Sequence, residues 1–403
     1  REYKITRLRR LQGRAKRETT LNLKGMTTIR RIVLAAAVAA VFSASAQTAP
    51  TAVDASRLPR TILSGPYKAG HIQGIAVDTE RRYIYYSYTT MLVKADLQGN
   101  VIGSVKGLLG HLGCLDFNDE DGRVYGSLEY KNDAIGKGIL RMERSDRRLD
   151  DAFYIAVFDV DRITRMDMDA EKDGIMTTVC LPTVLEDYLA EVETADGRKP
   201  HRFGCSGIDG VSFGPRFGKS GGRYYLTVAY GVYGETDRSD NDYQVLLQYD
   251  TRKWRRYETP LSQSSMHTRG PARPDDICFA FTGNTSYGVQ NLEYDADTDS
   301  WFMAVYRGRK PQYPNYTLFA VDGSSRPERQ VLRGVPYVRR GKVVPLKDGA
   351  GGWNFEYGAT GLCSLGGGYF YISENYKNDK GQGSVIRLYR FTGAADRPFE
   401  AVE

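Results

Sequence analysis

Cysteine and histidine are scarce, with five and four residues in a chain of 403. No C-x-x-C pair occurs, which excludes a cysteine-built zinc centre, because such sites draw their thiolates in closely spaced pairs. The odd set Cys114, Cys180, Cys205, Cys278 and Cys363 leaves at least one thiol free, with Cys205–Cys278 as one bridge open to an exported chain. Long apolar runs are missing too: the run 32–42 stops well short of the roughly 20 residues that a membrane-spanning helix needs. A net positive charge is missing from most of the chain. Residues 1–25 carry nine Lys and Arg against Glu2 and Glu18, and Arg30 and Arg31 add two more. Taking that balance of +9 from the overall +7 leaves about −2 for everything beyond Ala46, so the charge gives no support to a nucleic-acid partner.

Residues 1–25 are basic without apolar periodicity and read as a non-native segment upstream of a natural start at Met26. From Met26, the pair Arg30-Arg31, the apolar core 32–42 and Ala44-Ser45-Ala46 before Gln47 form the three-part layout of a secretory signal peptide, 26–46. The expectation is cleavage after Ala46, a periplasmic or secreted product, and no stable membrane insertion after processing. No cysteine stands at the cleavage point to take a lipid anchor. Residues 47–60, rich in Thr, Ala, Ser and Pro, read as a disordered lead-in, and 61–403 as one domain.

That domain is built on a repeat. The phrase His71-Ile72-Gln73-Gly74-Ile75-Ala76-Val77-Asp78 is echoed by His111-Leu112-Gly113-Cys114-Leu115, Gly207-Ile208-Asp209-Gly210-Val211, Gly288-Val289-Gln290-Asn291-Leu292 and Gly358-Ala359-Thr360-Gly361-Leu362. A more aromatic run follows each copy, at 83–88, 123–129, 224–230, 301–306 and 369–374. Third runs lie at 91–97, 153–159, 243–249, 316–321 and 384–391, and fourth ones at 101–105, 176–181, 254–258 and 330–332. Short β-branched and aromatic strands in fours, divided by Gly, Asp and Asn turns, predict an all-β chain: a single five-bladed β-propeller with four-stranded antiparallel blades. The fifth unit lacks a fourth strand of its own, which 61–67 or 399–402 supplies to close the ring. Between blades 2 and 3, Val184, Leu185, Tyr188, Leu189 and Val192 fall at helical spacing and predict a small surface helix.

In such a ring His71, Gln73, His111, Asp209, Gln290, Asn291 and Thr360 converge at the mouth of the central channel, with the ends of the second strands around them. Two of those ends echo each other. Ser127-Leu128-Glu129-Tyr130-Lys131-Asn132-Asp133 and Ser373-Glu374-Asn375-Tyr376-Lys377-Asn378-Asp379 agree at five of seven positions. The catalytic candidates are Asp209, Glu129, Glu374, His71 and His111: two carboxylates across a cleft, Asp209 with Glu129 or Glu374, suit acid–base chemistry on a glycan. Two histidines at one repeat position suit binding or proton transfer. The ligand-binding candidates are Gln73, Gln290, Asn291, Thr360, Tyr130, Tyr230, Tyr306, Tyr376, Lys131, Lys377 and Arg307. A carboxylate in a narrow channel must be solvated, paired or bound to a cation, which makes Asp209 and Glu293 the metal candidates. Each group also has a structural alternative, since strand-end tyrosines pack with a wet hydroxyl and Tyr-Lys-Asn-Asp is a turn sequence. Asp295, Asp297 and Asp299 alternate as in a calcium loop but lack the Gly and terminal Glu of an EF-hand, and read as a hairpin turn.

The phrase Gln73-Gly74-Ile75-Ala76-Val77-Asp78 with Tyr83-Ile84-Tyr85 resembles the repeat of gluconolactonase-like propellers. Asp299-Ser300-Trp301-Phe302 and the path from Gly366 through Ile372, Gly383 and Arg390 to Gly393 look like the calcium-activated nucleotidases (apyrases). Those are five-bladed enzymes that hold one Ca²⁺ in the channel and hydrolyse nucleoside di- and triphosphates. That resemblance implies Ca²⁺ as cofactor and phosphate contacts from Lys131, Lys377, Arg307 and Arg309. Where that family lines its metal with Ser and Glu, the repeat positions here carry Gln73, Asp209, Gln290 and Thr360, with Glu293 close by. Three functions fit the sequence: binding of a polar small molecule or glycan, with hydrolysis as one form of it; calcium-dependent phosphoanhydride hydrolysis; and a non-catalytic scaffold for another envelope protein.

Overall fold

Five sheets, antiparallel except at two outer edges, surround one axis in the computed structural model, which describes residues 53–347 and 351–403. The segments expected to be an upstream piece, a signal peptide and most of a lead-in lie outside the described residues. Blade 1 pairs Ile72–Val77, Tyr83–Tyr88, Met91–Asp96 and Val101–Lys106, with Met168–Asp169 added in parallel at its edge. Blade 2 pairs His111–Asn118, Arg123–Tyr130, Ala152–Phe158 and Met176–Cys180, with Thr259–Pro260 outside them. Blade 3 runs Cys205–Pro215, Tyr224–Val232, Tyr243–Tyr249 and Asp276–Phe281, and extends outward through Gly341–Val343 to Glu328–Gln330. Blade 4 holds Thr285–Asp295, Ser300–Arg307 and Leu318–Asp322; blade 5 holds Leu362–Gly366, Tyr369–Asn378 and Gly381–Phe391. The innermost strands touch in sequence, and that of blade 5 touches that of blade 1, so the ring is closed.

Closure uses both expected segments at once. Thr61–Leu63 pairs with Gly381–Phe391 through Ile62↔Ile386, and Phe399–Ala401 pairs with the same strand through Phe391↔Phe399. Strands from both ends of the described domain thus complete one blade, which ties the ring without a separate domain. Between blades 4 and 5 the seam is aromatic: Phe302, Phe370 and Phe399 are buried, with Phe302 and Phe370 centroids 5.5 Å apart. Full burial of each such ring contributes about 1.5–3 kcal/mol.

Three strand expectations change. The run 254–258 is a 3₁₀ turn, Thr251–Arg256, because Asp250 accepts the Arg252 amide and Trp254 folds inward to be buried. The run near 330–332 is strand Glu328–Gln330, but it hydrogen-bonds into blade 3, not blade 4. Blade 4 therefore has three strands, and its outer edge is met by the bridges Leu318↔Trp353 and Val321↔Leu346. The inner strand of blade 5 begins at Leu362, since Gly358 and Gly361 hold φ of 96° and 149° and turn the chain just before it. The helix between blades 2 and 3 spans Pro182–Leu189, and a second, Ala134–Met142, starts on Asp133, whose side chain caps Gly136 N–H. All five cysteines are free and buried, so Cys205 and Cys278, on the first and fourth strands of blade 3, form no bridge.

Candidate functional site at the channel mouth

The repeat marks where the inner strands leave regular pairing. Pairing breaks register between Ile72 and Gly74, Leu112 and Leu115, Ile208 and Val211, and Val289 and Asn291. The residues skipped include Gln73, Gly113, Asp209 and Gln290, which are the lead positions of the first four repeats. A bulge frees a residue from the ladder and re-aims its side chain, which is why polar groups survive inside otherwise apolar strands. The carbonyls released by bulging find donors on other blades. Ser87 Oγ donates to Gly113 O at 2.6 Å, Ser127 Oγ to Asp209 O at 2.7 Å, and Asn291 Nδ2 to Gln73 O at 2.8 Å and Ala359 O at 3.0 Å. The mouth is thus stitched from blade to blade.

His111, Glu129 and Asp209 meet there, each offering a ligand atom within 4.8 Å of the others. His111 Nδ1 lies 3.4 Å from Asp209 Oδ1 and 3.8 Å from Glu129 Oε1, and it is buried without a hydrogen-bond partner. Lys131 Nζ approaches Glu129 Oε1 to 2.5 Å and donates to Ser206 O at 2.7 Å. Glu129 also accepts the Ile208 N–H at 3.0 Å, and Gln290 Nε2 donates to Asp209 Oδ2 at 3.0 Å. Gly207 makes room for the carboxylate: at φ 126°, an added Cβ would stand 1.9 Å from Glu129 Oε2.

Burial raises the Asp209 pKa well above the carboxylate range, and the neighbouring Glu129 charge raises it further against Lys131 and Gln290. Burial raises Glu129 as well, opposed by Lys131 and the Ile208 amide. His111 is lowered to about 3, first by burial and then by Lys131 and His71, so its ring is neutral. Burial works against the Lys131 ammonium, yet the charges of Glu129, Asp133 and Asp209 outweigh it and raise its pKa. A void of about 10 Å³ borders Glu129 and Lys131 on the side of Tyr130 and the helix residues Gly136 and Leu140; His111 and Asp209 do not line it.

The other sequence candidates divide. His71 is lowered by burial and adds to the field on His111; Tyr306, raised to about 12 by burial, feels the charge of Asp209. Gln73 turns to Thr89 Oγ1 at 3.0 Å, and Thr360 sits in the turn before the blade 5 strand. Glu374 does not join Asp209: its carboxylate is held by Arg387 at 2.8 Å and Tyr389 OH at 2.7 Å, on the third strand of its own blade. Tyr130 and Tyr230 are core residues, with hydroxyls on Gln263 and Asp187. Lys377 is exposed on the long blade 5 hairpin, with Tyr376 half-buried beside it, and Arg307 is exposed, donating to Asn354 at 2.7 Å. Glu293 is outside the His111–Glu129–Asp209 cluster; it accepts the Ser364 N–H at 2.7 Å further along the channel. There it faces the field of Asp116, a residue sequence reasoning missed, whose own pKa burial lifts to about 7. Asp116 was legible only as a carboxylate inside an apolar strand. Asp295 takes the Thr298 amide and hydroxyl, as a hairpin turn requires.

No family model matches the chain, and no curated protein matches it. Among solved structures, the chain is similar to the β-propeller domain of Myceliophteria thermophila Cps50 (Swd1), at 12% identity and TM-score 0.30 over 80% of this chain and 84% of that one. It is also similar to the soluble aldose sugar dehydrogenase of Escherichia coli in its apo-form, at 10% identity and TM-score 0.34 over 80% and 96%. A third is the hydrazine synthase of Kuenenia stuttgartiensis, at 10% and 0.30 over 86% and 66%. Likeness at this level carries no functional argument, and what stands is the architecture: the chain is an all-β, five-bladed propeller.

Proposed function

We propose that this is an exported propeller that binds a polar small molecule at the mouth of its channel and transfers a proton to or from it, with hydrolysis as the reaction class. The observation that carries the proposal is the unequal setting of two neighbouring carboxyls. Glu129 is paired with Lys131 at 2.5 Å, whereas Asp209 has a neutral histidine at 3.4 Å and an amide. Environments that push two pKa values apart are what acid–base catalysis uses. In this scheme Asp209 is the proton donor, Glu129 the ionised partner, and Gln290 and His111 orient Asp209. The test is a ligand screen by thermal shift, followed by titration of any hit into wild type, Asp209→Asn and Glu129→Gln. Binding or turnover is expected to fall by about tenfold or more in the variants; unchanged behaviour toward every hit removes the site. Mass spectrometry of the mature protein from its host, with an N-terminus at Gln47, tests export.

A second form of the same proposal places a divalent cation on His111 Nδ1, Glu129 and Asp209. The unpartnered His111 nitrogen favours it. One nitrogen and two carboxylates suit Zn²⁺ or Mn²⁺ better than Ca²⁺, which takes six to eight oxygens. Metal analysis of purified protein, with a nucleotide hydrolysis assay in metal and in EDTA, separates the two forms.

A further inference from the structure

A second cavity, of about 540 Å³, lies between the outer strands of blade 3 and the helix Pro182–Leu189, and none of its walls belongs to the channel mouth. That volume is typical of small-molecule sites. Its charges do not cancel. Asp187 is occupied by Arg202 at 2.6 Å and by Tyr230 OH at 2.8 Å, and Asp276 by Lys342 at 2.5 Å. Asp275 accepts the Asp250 N–H at 2.7 Å and has Arg216 at 3.9 Å. Arg273, Arg329 and Arg340 also line the cavity, and among the described residues none of them has a carboxylate within ion-pair distance. Of the lining carboxylates only Glu186 has no ion pair or hydrogen bond among the described residues, so three arginines line the cavity against one uncommitted acid, and Arg340 Nη2 also donates to the Arg329 carbonyl at 2.6 Å.

The opposite wall is apolar and held in place. Phe203 packs on Phe279 and Tyr337, with centroids 5.3 and 5.5 Å away. The Phe203 N–H donates to Tyr337 OH at 2.9 Å, and that hydroxyl donates to Asp240 at 2.7 Å. This wall is set at a cost in backbone strain: His201 and Phe203 take φ of 61° and 59°, where non-glycine residues seldom sit. The helix start, through Thr183, faces the same space and has no side-chain cap on its N–H groups.

We infer that this cavity binds a small organic anion, a carboxylate, sulfate or phosphate ester on a flat apolar body. The head group sits on Arg273, Arg329 and Arg340, and the body lies on Phe203, Phe279 and Tyr337. Planar guanidinium groups match carboxylate and phosphate oxygens in pairs, while inorganic anions alone leave the apolar wall unused.

The test is isothermal titration of the full chain with phenyl phosphate, benzoate and inorganic phosphate. Phenyl phosphate is expected to bind with a Kd below about 1 mM, and inorganic phosphate about tenfold more weakly. The double variant Arg329→Ala/Arg340→Ala, whose side chains are exposed, is expected to keep its melting temperature and to weaken phenyl phosphate by about tenfold or more. Arg82→Ala, on blade 1 and lining neither site, is expected to leave the affinity for phenyl phosphate unchanged. No binding of any probe at about 10 mM, equal affinity for inorganic and phenyl phosphate, or full affinity in the double variant overturns the inference.

Discussion

Replacing Lys131 with methionine tests the electrostatics of the mouth most directly. The Lys131 and Glu129 side chains are 5% and 3% exposed, with Nζ and Oε1 2.5 Å apart. At an effective dielectric near 20, their direct attraction is about 7 kcal/mol. Desolvating two ions costs several kcal/mol each, so the intact pair is close to neutral for stability. Breaking it is not neutral, because Lys131→Met leaves Glu129 buried beside Asp209 with only the Ile208 amide for company. The expected loss is about 3–5 kcal/mol at pH 8. Glu129→Gln should cost less, since Lys131 keeps Ser206 O at 2.7 Å and Asp133 at 3.9 Å. The double variant Lys131→Met/Glu129→Gln should recover most of the single lysine loss, because no unpaired charge remains. The pH dependence has a definite sign. Glu129 has a raised pKa in the fold, so the fold binds a proton that the unfolded chain releases near pH 4.3. Stability therefore falls as pH rises from there through the folded pKa, and the deficit of Lys131→Met should shrink as pH is lowered toward 5. Urea unfolding of the four proteins at pH 5 and pH 8 measures this. A Lys131→Met protein within about 1 kcal/mol of wild type at pH 8, or a double variant as unstable as the sum of the singles, refutes the reasoning.

Asn291→Ala strips the donors from the Gln73 and Ala359 carbonyls and should cost about 2–4 kcal/mol in urea unfolding; a loss under about 0.5 kcal/mol would mean that water satisfies both. Asp116, raised by burial from its ordinary 3.8 to about 7, should make stability fall as pH climbs between those values and level off above them. Asp116→Asn should flatten that slope in urea midpoints measured at pH 4.5, 6 and 8, and an unchanged slope would assign the effect elsewhere.

The two echoing strand ends show where sequence reasoning stopped. Glu129 and Glu374 occur in nearly the same phrase but one position apart, Glu374 aligning with Leu128 and Asn375 with Glu129, so the alternation of a strand sends the two carboxylates to opposite faces and only Glu129 reaches the channel. In blade 5, Glu374 pairs across to Val385, and two residues on lies Arg387, which takes its carboxylate. In blade 2, Glu129 pairs across to Phe153, and two residues on lies Ile155, which offers no charge. Glu129 is left to find Lys131 and the Ile208 amide. The same contrast holds for Lys131 and Lys377: one is buried on a carboxylate, the other exposed on a hairpin.

Alone, the sequence determined what is local: strand segments from two-residue alternation, turns from Gly, Asp and Asn, the number of blades from the repeat, and the polar lead position in each copy. Those depend on neighbours along the chain. Only the tertiary structure decided which lead positions share one cluster, which carboxylate keeps a free face, and where Glu328–Gln330 pairs. The reason is that these outcomes depend on side chains supplied by other strands and blades, and on bulges whose freed carbonyls need donors from across the ring.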